Sequence, residues 1–162
     1  MAAAHFVLVD FASGREKALA EWRRSAQLLQ ELRRQPGDAY GEDVLVPPVG
    51  PIFGWRLVAP NNRDLARSAR FFGSEGDAAA AIEALRAGAA RMTTRLVVAP
   101  TFRGFGWEAA LDGAATLMCA RWYEGRAIAH NAAKIVTRIL VEETPEAAVP
   151  LASRTAIRGA RR

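Results

Sequence analysis

The same aromatic tripeptide occurs twice in this chain, as Phe53-Gly54-Trp55 and as Phe105-Gly106-Trp107. Each copy is followed by an alternating apolar segment, turn residues, a second apolar segment and an alanine-rich segment with helical spacing. A repeat of this length constrains the architecture, because each unit is too small to bury its apolar face without its neighbour. At 162 residues, the sequence therefore predicts one body made of two equivalent halves that share a core.

A separation of 52 positions relates the two copies beyond the tripeptide. The pairs that it aligns are Leu65 with Leu117, Phe71 with Tyr123 and Gly73 with Gly125. In the helix of the second copy the alignment needs one residue of slippage, which places Ile82 opposite Ile135. Arg56 and Glu108 occupy equivalent positions, and we expect the internal symmetry to bring their side chains close together.

The residue patterns divide the chain into five segments. They are an N-terminal strand and amphipathic helix (1–36), a linker rich in Pro and Gly (37–51), repeat 1 (52–100), repeat 2 (101–151) and a basic tail (152–162). Near the N-terminus, the β-branched and aromatic run 5–10 predicts a strand. Ser13 and Glu16 have the spacing of a capping box at the start of the helix. That helix carries a single apolar stripe, formed by Leu19, Trp22, Ala26, Leu29 and Leu32.

Alternation with a period of two predicts the first strand of each repeat. Trp55 and Trp107 lie on the apolar side of these strands, so we expect them in the core rather than on a surface that stacks with bases. Turn residues follow at 60–63 and at 112–113, where Asn, Asp and Gly tolerate positive φ. The β-branched run 95–99 predicts a strand that leaves repeat 1 and joins repeat 2.

Helical spacing predicts which side of each repeat helix lies on the sheet. The predicted stripes are Ala78, Ile82, Leu85, Ala89 and Met92 in repeat 1, and Ile128, Ala132, Ile135 and Ile139 in repeat 2.

Repeat 1 resembles the YegP-like family of small tandem-repeat domains of unknown function. The matching residues, in the order of the family's repeat, are Phe53-Gly54-Trp55-Arg56-Leu57, Asn61-Asn62, Ser68, Phe71 and the alanine-rich segment 78–82. Repeat 2 keeps Trp107, Asp112-Gly113, Tyr123, Arg126 and Asn131, but has Glu108 for the arginine and Ala120 for the serine.

The resemblance covers about residues 50–150 and leaves the N-terminal strand and helix as an addition. It implies an α+β fold in which two tandem β-β-β-α-β repeats form a single, mainly antiparallel sheet. The repeats would exchange their C-terminal strands and place both repeat helices on one face. It implies no activity and supplies no catalytic residues.

Composition limits the classes of function. The net charge of +5 is concentrated in the tail, where Arg154, Arg158, Arg161 and Arg162 stand without an acid, so it is a weak sign of nucleic-acid binding. The single cysteine, Cys119, excludes an internal disulfide and is expected in the core. With two histidines and no phosphate-loop, G-x-S-x-G or H-E-x-x-H motif, we expect no metal and no cofactor. No long apolar run or signal sequence is present, so we expect a cytoplasmic protein without a membrane partner.

The candidate binding residues are mostly arginines of the second strands and their surroundings. They are Arg56, Arg67, Arg70, Glu108, Arg121 and Arg126. An arginine strip on an open sheet face would suit an anionic partner or nucleic acid. The competing interpretation is a solvated face whose charges prevent aggregation between sheets.

Three classes of function remain open at this point. The first is a non-catalytic binding or accessory domain that contacts an anionic partner through the arginines of the sheet face. The second is a small enzyme with a site between the repeats, formed by Arg56, Glu108 and Tyr123. The third is a structural protein that forms a homodimer through the stripe of the N-terminal helix rather than a monomer with internal symmetry.

Overall fold

The computed structural model of the protein describes residues 3–11, 15–33, 50–99 and 104–145. The strands and helices within these ranges are β1 (His5–Asp10), α1 (Glu16–Arg33), β2 (Phe53–Val58), β3 (Asp64–Ser68), α2 (Glu75–Gly88), β4 (Thr93–Ala99), β5 (Gly104–Leu111), β6 (Ala114–Cys119) and α3 (Arg126–Arg138). A 3-10 turn (Ala89–Arg91) extends α2, and a π-helical turn (Ile139–Glu143) extends α3. Ser13, the linker residues 37–49 and the basic tail lie outside the described residues.

The strands form one antiparallel sheet in the order β1-β2-β3-β6-β5-β4. The two halves meet at its centre, where β3 pairs with β6 through Ala66 and Cys119 and through Arg67 and Met118. The prediction of an α+β fold with a single antiparallel sheet is therefore confirmed.

The outer strands show how the halves complete each other. β4 follows the helix of repeat 1 but pairs along its length with β5 of repeat 2, from Thr93 with Ala110 to Ala99 with Gly104. This confirms that the last strand of repeat 1 joins the other half. At the opposite edge β1 pairs with β2 in the same antiparallel manner. The N-terminal strand thus completes the first half as β4 completes the second, and the segment after residue 145 lies outside the described residues.

The correspondence between the halves shifts by one residue after the first turn. Arg56 pairs with Arg67, whereas its equivalent Glu108 pairs with Met118, so the separation changes from 52 to 51. Isolated bridges from Phe53 to Phe72 and from Phe105 to Tyr123 show the same change. The cause is a turn that is one residue shorter in the second half. Tyr123 therefore corresponds to Phe72 and Leu117 to Ala66, so the alignments of these two residues with Phe71 and Leu65 were wrong.

Both repeat helices pack on one face of the sheet, where Trp55 and Trp107 are 0% exposed at the centre of the core. The stripe predicted for α2 is confirmed, with Ala78, Ile82, Leu85 and Ala89 all buried. In α3 the prediction was wrong by one position. The residues buried in and just after α3 are Ala129, Ala133, Val136 and Leu140, each 51 positions after its counterpart in or just after α2.

The N-terminal helix covers the opposite face of the sheet. Its side chains Trp22, Ala26 and Leu29 are buried in a second apolar cluster with residues that include Phe71 and Met118. The Trp22 indole Nε1–H donates to the Ser68 carbonyl oxygen at 2.9 Å. The apolar stripe is therefore used inside its own chain, which removes it as a dimerisation surface, and the sheet face beneath it is not open.

Ser68 and Cys119 occupy equivalent buried places beside the two tryptophan strands. The Ser68 hydroxyl accepts from the backbone N–H of Trp55 at 3.2 Å, and the Cys119 sulfur lies beside the backbone N–H of Trp107. Burial raises the pKa of the Cys119 thiol to about 11. The buried position expected for Cys119 is confirmed, while Cys119 rather than Ala120 stands where repeat 1 has its serine.

Candidate anion-binding groove

A row of cross-strand neighbours runs across the sheet. In strand order from β1 to β4 its members are Val7, Arg56, Arg67, Met118, Glu108 and Arg95. Strand pairing alone makes Arg56 and Arg67 direct neighbours. Like charges placed opposite each other are destabilising, so this pair requires a compensating anion.

Asp64 supplies that anion for both arginines. The Arg56 Nη1 atom lies 2.8 Å from Asp64 Oδ1, and the Arg67 Nη2 atom lies 3.5 Å from Asp64 Oδ2. The carboxylate comes within reach because the β2–β3 register shifts between Leu57 and Val58, which places Asp64 opposite Val58. Two guanidinium groups thus share one carboxylate, and one positive charge remains in excess.

The two arginines stand in the wall of a groove between α1 and the sheet. The cavity has a volume of about 460 Å³. Its lining residues are Val7, Leu8, Val9, Phe11, Arg15, Ala18, Glu21, Trp22, Arg56, Asp64 and Arg67. The Arg67 guanidinium carbon lies 5.2 Å from the centroid of the Trp22 ring, so this ring fixes the arginine by a cation–π contact.

The charges of the groove are unequal. Arg15, Arg56 and Arg67 provide three positive charges, and Glu21 and Asp64 provide two negative ones. Within the described residues, the guanidinium of Arg56 makes one hydrogen bond, from Nη1 to Asp64. In the part of the chain that the structure describes, the Nε atoms of Arg56 and Arg67 are buried and have no hydrogen-bond partner. Both guanidinium groups therefore have unused donor capacity, which favours an anionic ligand with several acceptor oxygens.

Glu108 does not join this cluster, contrary to expectation. It is buried on β5 and accepts from Arg95 Nη2 at 2.8 Å and from Arg95 Nε at 3.1 Å. Strands β3 and β6 separate it from Arg56. Tyr123 packs against the core cluster on the other face of the sheet. The structure therefore does not bring together the three residues of the predicted enzyme site.

The other predicted arginines lie apart from the groove. Arg70 is exposed beyond the end of β3. Arg121 stacks on Tyr123 at 5.4 Å, and Arg126 stacks on Phe105 at 5.9 Å. None of the three lines the groove, so these arginines do not form a continuous basic strip with Arg56 and Arg67.

The second half carries no counterpart of the arginine pair. Glu108 stands at the position equivalent to Arg56, Met118 at that of Arg67, and Ala115 at that of Asp64. The same backbone scaffold therefore forms with and without the cluster.

Sequence reasoning named Arg56 and Arg67 as site residues but not the other charged residues of the groove, Arg15, Glu21 and Asp64, and it placed Trp22 only in the apolar stripe of α1. Asp64 lies three residues before Arg67, and this short spacing was the one available signal. Arg15, Glu21 and Trp22 carry no such signal, because the place of α1 and of the residue before it over the sheet depends on tertiary packing.

No family model, curated protein or solved structure matches this chain. In the described part of the chain, no helix combines the length and hydropathy that a membrane crossing requires. Over the same residues, no group of three or more His, Cys, Asp or Glu side chains could hold a metal ion.

Proposed function

We propose that this protein is a non-catalytic binding protein whose groove beneath α1 holds the anionic group of a small molecule. The observation that carries the proposal is the pair Arg56 and Arg67, which face a single carboxylate in the wall of a cavity of about 460 Å³. Guanidinium groups present several N–H donors in a fixed plane and match carboxylate and phosphate oxygens. An arriving anion would accept from donors that Asp64 leaves unused.

The internal duplication supports the proposal independently. A feature that the fold needs should recur in both halves, as Trp55 and Trp107 do. The arginine pair does not recur, since Glu108 and Met118 take its place. The pair therefore serves a role that belongs to the first half, and ligand binding is a role of that kind.

A small anion suits this geometry better than a nucleic acid. Binding a polynucleotide requires a positive surface that follows the backbone over several nucleotides, usually with exposed aromatic rings. Here Arg56 and Arg67 stand inside a groove, and the ring of Trp22 is buried against Arg67. A cavity of about 460 Å³ is of the size that holds a small molecule.

The proposal is tested by titration calorimetry at low salt with inorganic phosphate, pyrophosphate and citrate. We expect saturable binding of at least one of these anions. In the double variant Arg56→Gln, Arg67→Gln the dissociation constant should rise about tenfold or more, since hydrogen bonds to charged groups contribute about 1.5–3 kcal/mol each. Arg86→Gln is the matched control, because it removes an arginine paired with Glu83 outside the groove.

A second variant should strengthen anion binding rather than weaken it. Asp64→Asn removes the competing carboxylate and should tighten anion binding severalfold, provided that both arginines remain in place. Equal affinity in wild type and in the double arginine variant would refute the proposal. Absence of binding by all three anions to wild type and to Asp64→Asn would refute it as well.

The relationship to the YegP-like family and the cytoplasmic location also stay proposals. The first rests on the motif around Phe53–Leu57.

A further inference from the structure

The helix α3 exposes two large apolar side chains. Ile128 is 57% exposed and Ile135 is 43% exposed. A spacing of seven residues places them on the same side of the helix, two turns apart. Single exposed apolar residues are common, but two on one helix face beside a cavity indicate a binding surface.

These isoleucines border a second groove, which lies between α3 and the beginning of β3. Its volume is about 220 Å³. The apolar part of its lining consists of Leu65, Tyr123, Ile128, Ala132, Ile135 and Val136, and the polar part consists of Arg63, Asp64, Arg121 and Asn131.

The equivalent positions on α2 show whether the fold itself requires isoleucines at 128 and 135. At the separation of 51 that relates the two helices, Ile128 corresponds to Asp77 and Ile135 corresponds to Ala84. Both counterparts are exposed on α2. The fold therefore tolerates a charged and a small residue at these positions, so it does not require the isoleucines.

The charged residues around the groove determine which ligand charge it favours. The Asp64 carboxylate forms ion pairs with Arg56 and Arg67 on the opposite side of its strand. Arg63 and Arg121 remain as the cationic residues of the lining, and Arg121 is held over the Tyr123 ring at 5.4 Å. An apolar base with two arginines matches a ligand that has an apolar body and an anionic end.

We propose that this groove binds a small carboxylate with an apolar body about the size of one benzene ring. An apolar cavity of about 150 Å³ accepts benzene, and a volume of about 220 Å³ leaves space for a short arm with a carboxylate. The apolar body would lie against Ile128, Ile135 and Tyr123, and the carboxylate would accept hydrogen bonds from Arg121, which lies over the Tyr123 ring. This site is distinct from the groove beneath α1 and does not rest on the function proposed for it.

The test follows the isoleucine methyl signals by NMR during titration with phenylacetate. We expect saturable shifts at Ile128 and Ile135. The variant Ile128→Asp, Ile135→Ala installs the side chains that α2 carries, and it should weaken binding about tenfold or more. Both positions are exposed, so its thermal unfolding should match that of wild type. Val141→Ala is the matched control, because Val141 is 46% exposed but does not line the groove.

Two further arms test the charge preference and the identity of the site. Arg121→Gln should weaken the binding of phenylacetate but leave the binding of its uncharged analogue 2-phenylethanol unchanged. Arg56→Gln with Arg67→Gln should leave phenylacetate binding unchanged, which separates this site from the groove beneath α1.

Three outcomes would overturn the proposal. The first is the absence of saturable shifts, and the second is binding that the double isoleucine variant does not weaken. The third is a dimer that sedimentation detects in wild type and that the same variant abolishes, because the surface would then be an interface between two copies of the chain.

Discussion

The buried thiol of Cys119 makes the stability of the protein depend on pH in the alkaline range. Cys119 is 4% exposed, and burial raises the pKa of its thiol from an ordinary 9.0 to about 11. As the pH rises above 9, the unfolded chain loses this proton before the folded chain does. The protonated thiol therefore makes its full contribution to the unfolding free energy below pH 9, and this contribution is lost as the pH rises towards 11. The two pKa values correspond to a loss of about 2.7 kcal/mol of unfolding free energy.

The variant Cys119→Ser isolates this contribution. Serine is the residue of the first half at the equivalent place, where Ser68 accepts from the backbone N–H of Trp55. Urea unfolding of both proteins at pH 8, 9, 10 and 11 gives the difference in unfolding free energy at each pH. We expect this difference to change by about 2–3 kcal/mol between pH 8 and pH 11, in favour of the serine variant. A difference that stays constant over this range would show that the thiol is not kept neutral by burial.

Three further predictions test how the helices and the sheet pack. Leu29→Ala should lower the unfolding free energy by about 2–5 kcal/mol, because Leu29 is buried between α1 and the sheet; a loss below about 1 kcal/mol in urea unfolding would contradict that packing. Gly106→Ala should destabilise by about 1–3 kcal/mol, because the added methyl group would lie 2.7 Å from the ring of Trp122; an unchanged midpoint in thermal unfolding would contradict this close approach. Gly76→Ala should stabilise by about 0.5–1 kcal/mol, since among the described residues the new methyl group on α2 approaches nothing closer than Ser74 Oγ at 3.9 Å; a lower melting temperature would contradict it.

Much of the fold could be predicted because its signals are local and occur twice. The alternation around Trp55 and Trp107 identified two equivalent strands, and both side chains are fully buried. Turn residues were also informative, since Asn62 and Asp112 adopt positive φ as expected. The β-branched run 95–99 identified the strand that crosses to the other half, because such a run after a helix has few alternatives.

The features that could not be predicted depend on single-residue register or on distant packing. The prediction for α3 followed its isoleucines, whereas the buried residues are those 51 positions after their counterparts on α2, so Ile128 and Ile135 are exposed and Val136 is buried. In a helix a shift of one position turns the apolar side by about 100°, and the alanine-rich sequence of α3 accepts both alignments. The contact between Arg56 and Asp64 likewise depends on a register shift in the sheet that no local pattern indicates.

The two halves differ in how much chain separates their outer strands from their partners. Residues 100–103 separate β4 from β5, whereas residues 11–52 separate β1 from β2. Closing a flexible segment about ten times longer costs up to about 2 kcal/mol more in chain entropy. We therefore expect the second half to form early during folding, with β1 docking later as the last strand of the sheet. In native-state hydrogen exchange, the amide hydrogens of β1 should then exchange faster than those of β4, because opening β1 costs less free energy. Slower exchange in β1 than in β4 would exclude this order of assembly.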